Sequence, residues 1–423
     1  MTSADSVCVK NKNIHWWFVW IIFSELVFLI FFVKYFESSG YAMPPFFFAP
    51  LDTFMDFYNT NYWSLNDGRY DIWQSIYPIS VFALAQMLVP DYCASVVLPA
   101  ELRDCSPYSI AWLFLFYFCA IFVCTKLFVK QVGIKYISVE IVIFLALLMQ
   151  FPGLYALERG NYIIVAFMLL AFSQAFGANW KGAVFLALAI NIKQYLIVLW
   201  FVPFFKREYT YFLISFFASL LINQISMIVL EDGNYRQIFE NMFSFSGAVN
   251  SDFFQKVWYT TSLSSWSKAV FYYQDRIPVI LYLTAHFLRW FVLFVAASIL
   301  FLSARKAHFF TWEQLSVVVL LSMMVATDSP GGYAVILLLP YLSAILIGSY
   351  ANKYRRIIMF VLLIPLDFVV GPIIEFNQFS FLSQHYVDVS TGLTFGAYIR
   401  PFCLLFMLII MSYPVLVSLR KFS

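Results

Sequence analysis

Two aspartates lie four residues apart in a polar and aromatic stretch of the chain, LDTFMDFYNTNYWSLNDGRYDI, which covers residues 51–72. They are Asp52 and Asp56. If the stretch is helical, the two carboxylates share one face, and their mild repulsion poises one of them as a base. An alcohol is a poor nucleophile, so a positioned carboxylate that takes its proton would act as a general base. The alternative is that either aspartate only caps a helix.

The remainder of the chain has the composition of a membrane protein. Of its 423 residues, 62% are hydrophobic and 12% are charged, whereas a soluble domain carries roughly 25% charged residues. Because a span needs about 20 apolar residues, the apolar runs predict an all-α integral membrane protein with roughly twelve hydrophobic helices. The net charge of +3 is small and the basic residues form no single patch, so nothing indicates a nucleic-acid partner.

Basic residues indicate which loops face the cytoplasm. Lys10 and Lys12 precede the first apolar run, residues 16–36, so the positive-inside rule places the amino terminus in the cytoplasm. Applied along the chain, the rule predicts one transmembrane domain, residues 1–423, with both termini inside. Its parts are a first outer loop at 37–106, core helices at 107–230, a second outer loop at 231–277 and carboxy-terminal helices at 278–423.

Three local features have two interpretations each. The apolar stretch 76–89 is short for a span, which favours an interfacial helix in the first outer loop. Residues 182–205 form either one span with Lys193 near mid-membrane or a hairpin with Lys193 at its outer tip. The hairpin is favoured, because an unpaired lysine at mid-bilayer is costly. Cys93 and Cys105, both in the first outer loop, form a disulfide or remain free thiols.

Three blocks of residues occur in an order typical of a known enzyme family. They are Asp56-Phe57 with Tyr62, Gly68-Arg69-Tyr70-Asp71 and Tyr77-Pro78; Glu158-Arg159-Gly160-Asn161 followed by Lys193-Gln194-Tyr195; and Asp328-Ser329-Pro330 followed by Tyr333. Together they resemble glycosyltransferase family 87, the polyprenyl-phosphate-sugar-dependent mannosyltransferases of the GT-C superfamily. The chain departs from the family at Ile79 and at Leu196, where the family has proline.

The resemblance implies a polytopic GT-C fold and a role for each charged block. An aspartate in the first outer loop of GT-C enzymes takes the proton of the acceptor hydroxyl. The matching residue here is Asp56, with Asp52 as the second candidate. The leaving group would be a lipid phosphate, which needs cations. The candidates for binding the donor phosphate are Arg159, Lys193 and Arg289, and those for binding sugar or acceptor are Glu158, Asn161, Tyr62, Tyr77, Asp328 and His385.

Two of these cations also have simpler interpretations. Arg159 could be an interfacial residue that extends its charge to the membrane surface. Arg289 lies within an apolar run, where an ionisable residue suggests function, but it could instead pair with Asp367.

The predicted function is transfer of a hexose from a polyprenyl-phosphate donor to a lipid-linked glycan, with inversion at the anomeric carbon. No Rossmann-like domain or glycine-rich phosphate loop is present for a nucleotide sugar, which favours a lipid-linked donor. The chain is also similar to the serotype-converting glucosyltransferases of O-antigen. That similarity favours undecaprenyl-phosphate glucose as donor, with mannose next, and O-antigen as acceptor, at the periplasmic face of a bacterial inner membrane.

Other functions stay open from the sequence. An O-antigen polymerase has a similar size, although the second outer loop holds only Arg236 and Arg276. A flippase or transporter of a lipid-linked glycan is a third possibility, but matched inverted halves are not evident. Four scattered histidines and no cysteine pair at ligand spacing give no metal signature. No cofactor is implied, although a divalent ion held by aspartate and phosphate is compatible with the sequence.

Overall fold

The computed structural model describes residues 14–43, 47, 49–231, 235–248, 261–263, 266, 279–305, 310–327, 331–347, 352–365 and 367–420. Asp328 and most of the second outer loop lie outside these residues. The described chain is mainly helical. Its α-helices in chain order are α1 (Ile14–Ser39), α2 (Met55–Leu65), α3 (Ile79–Met87), α4 (Pro99–Cys105), α5 (Ala111–Val132), α6 (Ile137–Leu148), α7 (Phe151–Arg159), α8 (Ile163–Phe176), α9 (Trp180–Ile192), α10 (Phe201–Phe205), α11 (Tyr209–Leu230), α12 (Tyr235–Ala248), α13 (Val279–Arg305), α14 (Trp312–Ala326), α15 (Leu342–Leu346), α16 (Asn352–Leu363) and α17 (Phe395–Arg420).

Shorter elements connect these helices. Within the ranges that the structure describes, five segments are 3-10 helices: Pro50–Asp52, Asp91–Cys93, Pro107–Ile110, Gln194–Trp200 and Gly332–Tyr341. Two strands, β1 (Val369–Ser380) and β2 (His385–Thr394), form an antiparallel hairpin in which Phe376 pairs with Val389.

Long apolar helices confirm that this is a membrane protein. Five helices of the described chain have the length and composition to cross a bilayer, and α6 and α7, which meet at a bend of 47°, together make a possible sixth. Trp20, Phe23 and Ile30 of α1 are more than half exposed, as expected of side chains that face lipid. The five long helices are Ile14–Ser39, Pro107–Val132, Tyr209–Leu230, Leu283–Arg305 and Phe395–Tyr413.

A second group of apolar helices has only 10–17 residues each, which is short for a span of about 20 residues. Among them α14 is enclosed by its neighbours, since every residue from Leu315 to Ala326 is buried. Buried residues of this group and of α5 belong to the largest hydrophobic cluster of the described residues. The total of roughly twelve hydrophobic helices stays a prediction.

Residues 182–205 form a hairpin, which confirms the favoured interpretation. Helix α9 ends at Ile192, Lys193 has an extended backbone, and the 3-10 helix Gln194–Trp200 follows. The first turn of α9 and the end of α10 both lie beside the first turn of α11, whereas the end of α9 lies farther along α11. Ser173 of α8 forms hydrogen bonds with both Gly182 O in the first turn of α9 (2.9 Å) and Tyr211 OH in the first turn of α11 (3.0 Å). The ring of Phe204, near the end of α10, lies 6.1 Å from the ring of Tyr209, which begins α11. Asn191 Nδ2, near the end of α9, donates to Ser219 Oγ, farther along α11 (2.8 Å).

The β-hairpin corrects one expectation, because residues 278–423 were predicted as carboxy-terminal helices. Val387 and Val389 lie two residues apart, so they share one face of β2, and both are buried in a hydrophobic cluster that also contains Tyr41 and Tyr155. A second correction concerns Asp367, which precedes the hairpin. Its carboxylate forms a buried ion pair with Arg400 of α17 and accepts from the backbone N–H of Gly396 (2.7 Å). Asp367 therefore does not pair with Arg289.

Cys93 and Cys105 form a disulfide, with 6.0 Å between their Cα atoms. The bond joins the 3-10 helix Asp91–Cys93 to the end of α4 and closes a short loop of the chain. It resolves the alternative between a disulfide and two free thiols.

We expect the substitution Cys93→Ser to lower the free energy of unfolding by roughly 2–4 kcal/mol, because an open chain gains entropy in the unfolded state. Thermal unfolding in detergent measures this loss, with Cys119→Ser as the control, because Cys119 is a free thiol. Digests of the unmodified protein with and without reductant should also differ in this region. Identical peptides in both digests would rule out the bond.

Candidate active site

Asp52 and Asp56 do not lie on one helix, contrary to the sequence-based expectation. Asp52 ends the 3-10 helix Pro50–Asp52, and Asp56 lies in the first turn of α2. Phe54, between them, has a left-handed backbone (φ 63°) and stops the first helix from continuing into the second. A non-glycine residue rarely adopts this conformation unless its surroundings impose it.

The block Glu158-Arg159-Gly160-Asn161 imposes that conformation by packing directly on Phe54. The backbone N–H of Phe54 donates to the carbonyl of Glu158 (2.7 Å). Gly160, at the end of α7, is also left-handed (φ 68°), and a Cβ atom there would lie 2.8 Å from the carbonyl oxygen of Phe54. Glycine is therefore required at position 160 for two reasons: the left-handed backbone conformation and the close approach of the two segments.

Arg159 lies between the two aspartates. Its Nη2 atom is 3.2 Å from Asp52 Oδ2 and 3.9 Å from Asp56 Oδ1. The arginine side chain is 15% exposed, whereas those of Asp52 and Asp56 are 53% and 29% exposed. A single guanidinium thus offsets the repulsion between the carboxylates. Both carboxylates remain partly exposed to solvent, so a substrate can reach them.

Asn161 fixes the orientation of Asp56. Its Nδ2 atom donates to Asp56 Oδ2 (2.7 Å) and to the hydroxyl of Tyr333 (3.3 Å). Its Oδ1 atom accepts from the backbone N–H of Ile163 (2.9 Å), so the amide has one consistent orientation. This contact adds Tyr333, which follows the motif Asp328-Ser329-Pro330, to the site residues that the sequence predicts.

Glu158 stabilises the loop that carries the two aspartates. Its carboxylate accepts from the hydroxyls of Tyr41 (3.2 Å) and Thr53 (3.3 Å). These two bonds, with the carbonyl contact to Phe54, make Glu158 a positioning residue. Its carboxylate faces protein groups, so the structure does not place it at a sugar or acceptor.

Lys193, at the tip of the α9 hairpin, lies beside Tyr77. Its Nζ atom is 3.4 Å from the tyrosine hydroxyl and 4.5 Å from the ring centroid. Burial lowers the pKa of Lys193 to about 8, and the negative charge of Asp56 partly opposes that shift. Burial, with the charge of Asp56, raises the pKa of the Tyr77 hydroxyl well above its ordinary value.

The position of Lys193 is fixed by the next residue, and its charge is not neutralised by a carboxylate. Gln194 donates from Nε2 to the carbonyl of Ile76 (2.7 Å), which attaches the hairpin tip to the loop before α3. Within the described residues, no carboxylate lies within salt-bridge distance of Lys193. This cation is therefore more available to an anionic ligand than Arg159, which already has two carboxylate partners.

The other predicted site residues lie elsewhere. Tyr62 donates from its hydroxyl to the carbonyl of Val97 (2.7 Å) and so connects α2 to its own loop. Arg289 lies inside α13, and no contact joins it to Asp56 in the part of the chain that the structure describes. His385 is exposed at the start of β2, beside the carbonyl of Ser383. Asp328 lies outside the described residues.

Arg103 is a residue of the site region that the sequence analysis missed. From α4, its Nη1 atom donates to the carbonyls of Leu51 and Thr53 (3.1 Å each), on either side of Asp52. Its guanidinium also lies 4.3 Å from the ring centroid of Phe381, in the turn of the β-hairpin. Burial lowers the pKa of Arg103. A single arginine two residues before Cys105 carries no sequence signal for such a role.

Comparisons with protein-family models, with curated proteins and with solved structures found no match. Among the described residues, no group of three or more histidine, cysteine, aspartate or glutamate side chains is arranged to hold a metal ion.

We expect Gly160→Ala to destabilise the protein more than Gly133→Ala. Both glycines end a helix in nearly the same left-handed conformation (φ 68° and ψ 31°; φ 75° and ψ 30°), and alanine there costs about 1–2 kcal/mol. A Cβ atom at Gly133 meets nothing within 4 Å, whereas one at Gly160 meets the backbone of Phe54. Thermal unfolding in detergent compares the two variants. Equal losses would show that the close approach to Phe54 does not matter.

Proposed function

We propose that the protein is a membrane glycosyltransferase that moves a hexose from a polyprenyl-phosphate donor to a lipid-linked glycan. The observation that carries this proposal is the arrangement around Asp56. Its carboxylate is partly exposed, is oriented by Asn161 at 2.7 Å and shares Arg159 with Asp52. The cation Lys193 lies nearby and interacts electrostatically with the same carboxylate.

The chemistry follows from these groups. Asp56 takes the proton of the acceptor hydroxyl as its oxygen attacks the anomeric carbon of the donor sugar. The bond from that carbon to the phosphate oxygen breaks, and the phosphate leaves with the electron pair, so no proton donor is needed. Attack opposite the leaving group inverts the anomeric centre. Arg159 and Asn161 hold the base in place before the reaction, which avoids reorganisation during it.

The cations have different roles in this proposal. Lys193 is the first candidate to bind the donor phosphate, because its ammonium is near Asp56 and Tyr77 but has no carboxylate within salt-bridge distance in the described residues. Arg159 holds Asp52 at 3.2 Å. It could bind a phosphate only where that anion replaces the carboxylate of Asp52, which is about half exposed. We therefore assign Arg159 chiefly to positioning Asp56.

The proposed setting is the periplasmic face of a bacterial inner membrane. The long apolar helices support a membrane location, and the disulfide between Cys93 and Cys105 supports an oxidising compartment for the loop that carries Asp56. Glucose is the favoured hexose and mannose the next, with O-antigen as the acceptor class. The choice between the two hexoses depends on a few hydrogen bonds in the donor pocket.

We expect Asp56→Asn to reduce transfer by about 10²–10⁴-fold, because the amide keeps the shape but removes the base. Purified protein in nanodiscs is supplied with short-chain polyprenyl-phosphate glucose or mannose and a lipid-linked acceptor, and transfer and hydrolysis are both measured. Donor binding should remain within a few-fold of the unmodified protein.

The matched control is Asp52→Asn, which removes the other carboxylate on Arg159 and leaves the base. It should reduce transfer less than Asp56→Asn does. Near-normal turnover by Asp56→Asn would remove the assigned base. If the unmodified protein neither consumes nor binds either donor, a polymerase or a flippase becomes the better explanation.

We expect donor affinity to fall as pH rises through about 8. The pKa of Lys193 is lowered to about 8, so the ammonium that binds phosphate is present below that pH and is lost above it. The donor is a phosphodiester, whose charge is constant in this range. Apparent donor affinity measured between about pH 7 and pH 9 should decrease by up to tenfold per unit above the pKa.

The control for this effect is Lys193→Arg, which keeps its positive charge at every pH tested. It should bind the donor with little dependence on pH. An unchanged pH dependence in this variant would assign the titration to another group and remove Lys193 from the donor site.

A further inference from the structure

A cavity of about 530 Å³ lies beside the carboxy-terminal end of α2, and Asp56 does not line it. Four parts of the chain form its walls: the end of α2 with the loop that follows, the end of α3, the end of α11, and the first turn of α12. The polar side chains that line it include Ser64, Asp67, Arg69, Asp71, Gln86, Glu231 and Gln237.

Contacts between these segments hold the walls in place. Arg69 is 4% exposed and donates from Nη2 to the carbonyl of Ser64 (2.9 Å). Asn241 of α12 donates from Nδ2 to the carbonyls of Tyr70 (2.7 Å) and Ser75 (3.1 Å). The cavity is thus part of the folded protein, since buried hydrogen bonds connect the loop to the helices on both sides.

The charges that line the cavity select against anions. Asp67, Asp71 and Glu231 are exposed carboxylates, while Arg69 is the one cation among the lining residues and its side chain is buried. Carboxylates accept hydrogen bonds from hydroxyls, and the amide of Gln237 both donates and accepts. A neutral molecule with many hydroxyls fits this lining, whereas phosphate and uronate groups are repelled.

The cavity also lies near the candidate active site. Ser64 follows Asp56 by two turns of α2, so the two lie about 12 Å apart along the helix axis. Tyr70 donates from its hydroxyl to the carbonyl of Tyr77 (3.0 Å), and the ring of Tyr77 contacts Lys193. A short oligosaccharide could therefore place one sugar at Asp56 and further sugars in the cavity.

We propose that this cavity binds the neutral sugars of the acceptor glycan that lie beyond the sugar receiving the hexose. This assignment of the ligand as acceptor rests on the proposed function, whereas affinity of the cavity for a neutral oligosaccharide does not. The enzyme would then recognise several sugar units of the acceptor. It would therefore prefer a growing or completed glycan as acceptor to a lipid that carries one sugar.

The test is binding of trisaccharides to the full chain in nanodiscs, measured by saturation-transfer NMR. The probes are maltotriose, mannotriose, chitotriose and, as an anionic comparison, trigalacturonate. At least one neutral probe should bind, and trigalacturonate should bind more weakly. The double variant Asp67→Ala with Gln237→Ala should weaken binding about tenfold or more, because a hydrogen bond to a charged group contributes strongly.

A control variant and a separate donor assay distinguish this inference from the proposed function. Glu375→Ala removes an exposed carboxylate of β1 away from the cavity, so this variant should bind the neutral probe normally. The inference is overturned if no neutral probe binds, if trigalacturonate binds equally well, or if the double variant binds normally. Trisaccharide binding without any donor consumption would instead contradict only the glycosyltransferase proposal and its acceptor assignment.

Discussion

The packing of residues 158–161 against residues 52–57 is the constraint on which the site depends. The hydrogen bond from Asn161 to Asp56 joins positions 105 residues apart, and the carbonyl of Glu158 holds Phe54 in its left-handed turn. A partly buried carboxylate is costly unless charge and hydrogen bonds compensate it. Arg159 and Asn161 provide both, from positions two residues apart in the same block. The orientation of α7 therefore determines where the proposed base lies.

The hairpin that carries Lys193 is the second half of this arrangement. A lysine within an apolar segment needs a polar environment or a chain reversal that brings it to one side of the bundle. The chain reverses at that residue, and Gln194 attaches the tip to the loop of Tyr77. A carboxylate and an ammonium thus come from separate elements. They are close enough to interact, yet no carboxylate of the described residues forms a salt bridge with the lysine that a ligand would have to break.

Much of this could be predicted from the sequence, and the remainder depended on tertiary contacts. Composition was sufficient for the membrane class, and the cost of a buried lysine was sufficient for the hairpin at Lys193. The order of the motifs was sufficient to predict Asp56 and Asn161 as residues of one site, although it indicated sugar or acceptor binding for Asn161 and not its hydrogen bond to Asp56. The break at Phe54 was not predictable, because a phenylalanine adopts a left-handed backbone only where its neighbours require it. The role of Arg103 was not predictable, because its hydrogen-bond partners are backbone carbonyl groups, which every residue has.

The β-hairpin has a consequence for how the protein is made. Its turn packs Phe381 against Phe54 and Arg103, and Ser380 bonds to the carbonyl of Gly40, 340 residues earlier in the chain. Contacts between such distant positions form late, because closing a long segment of chain has a large cost in entropy. The amino-terminal part of the chain emerges from the ribosome well before the hairpin is synthesised. The loop around Asp56 therefore reaches its final form only near the end of biogenesis, after the intervening helices have been inserted.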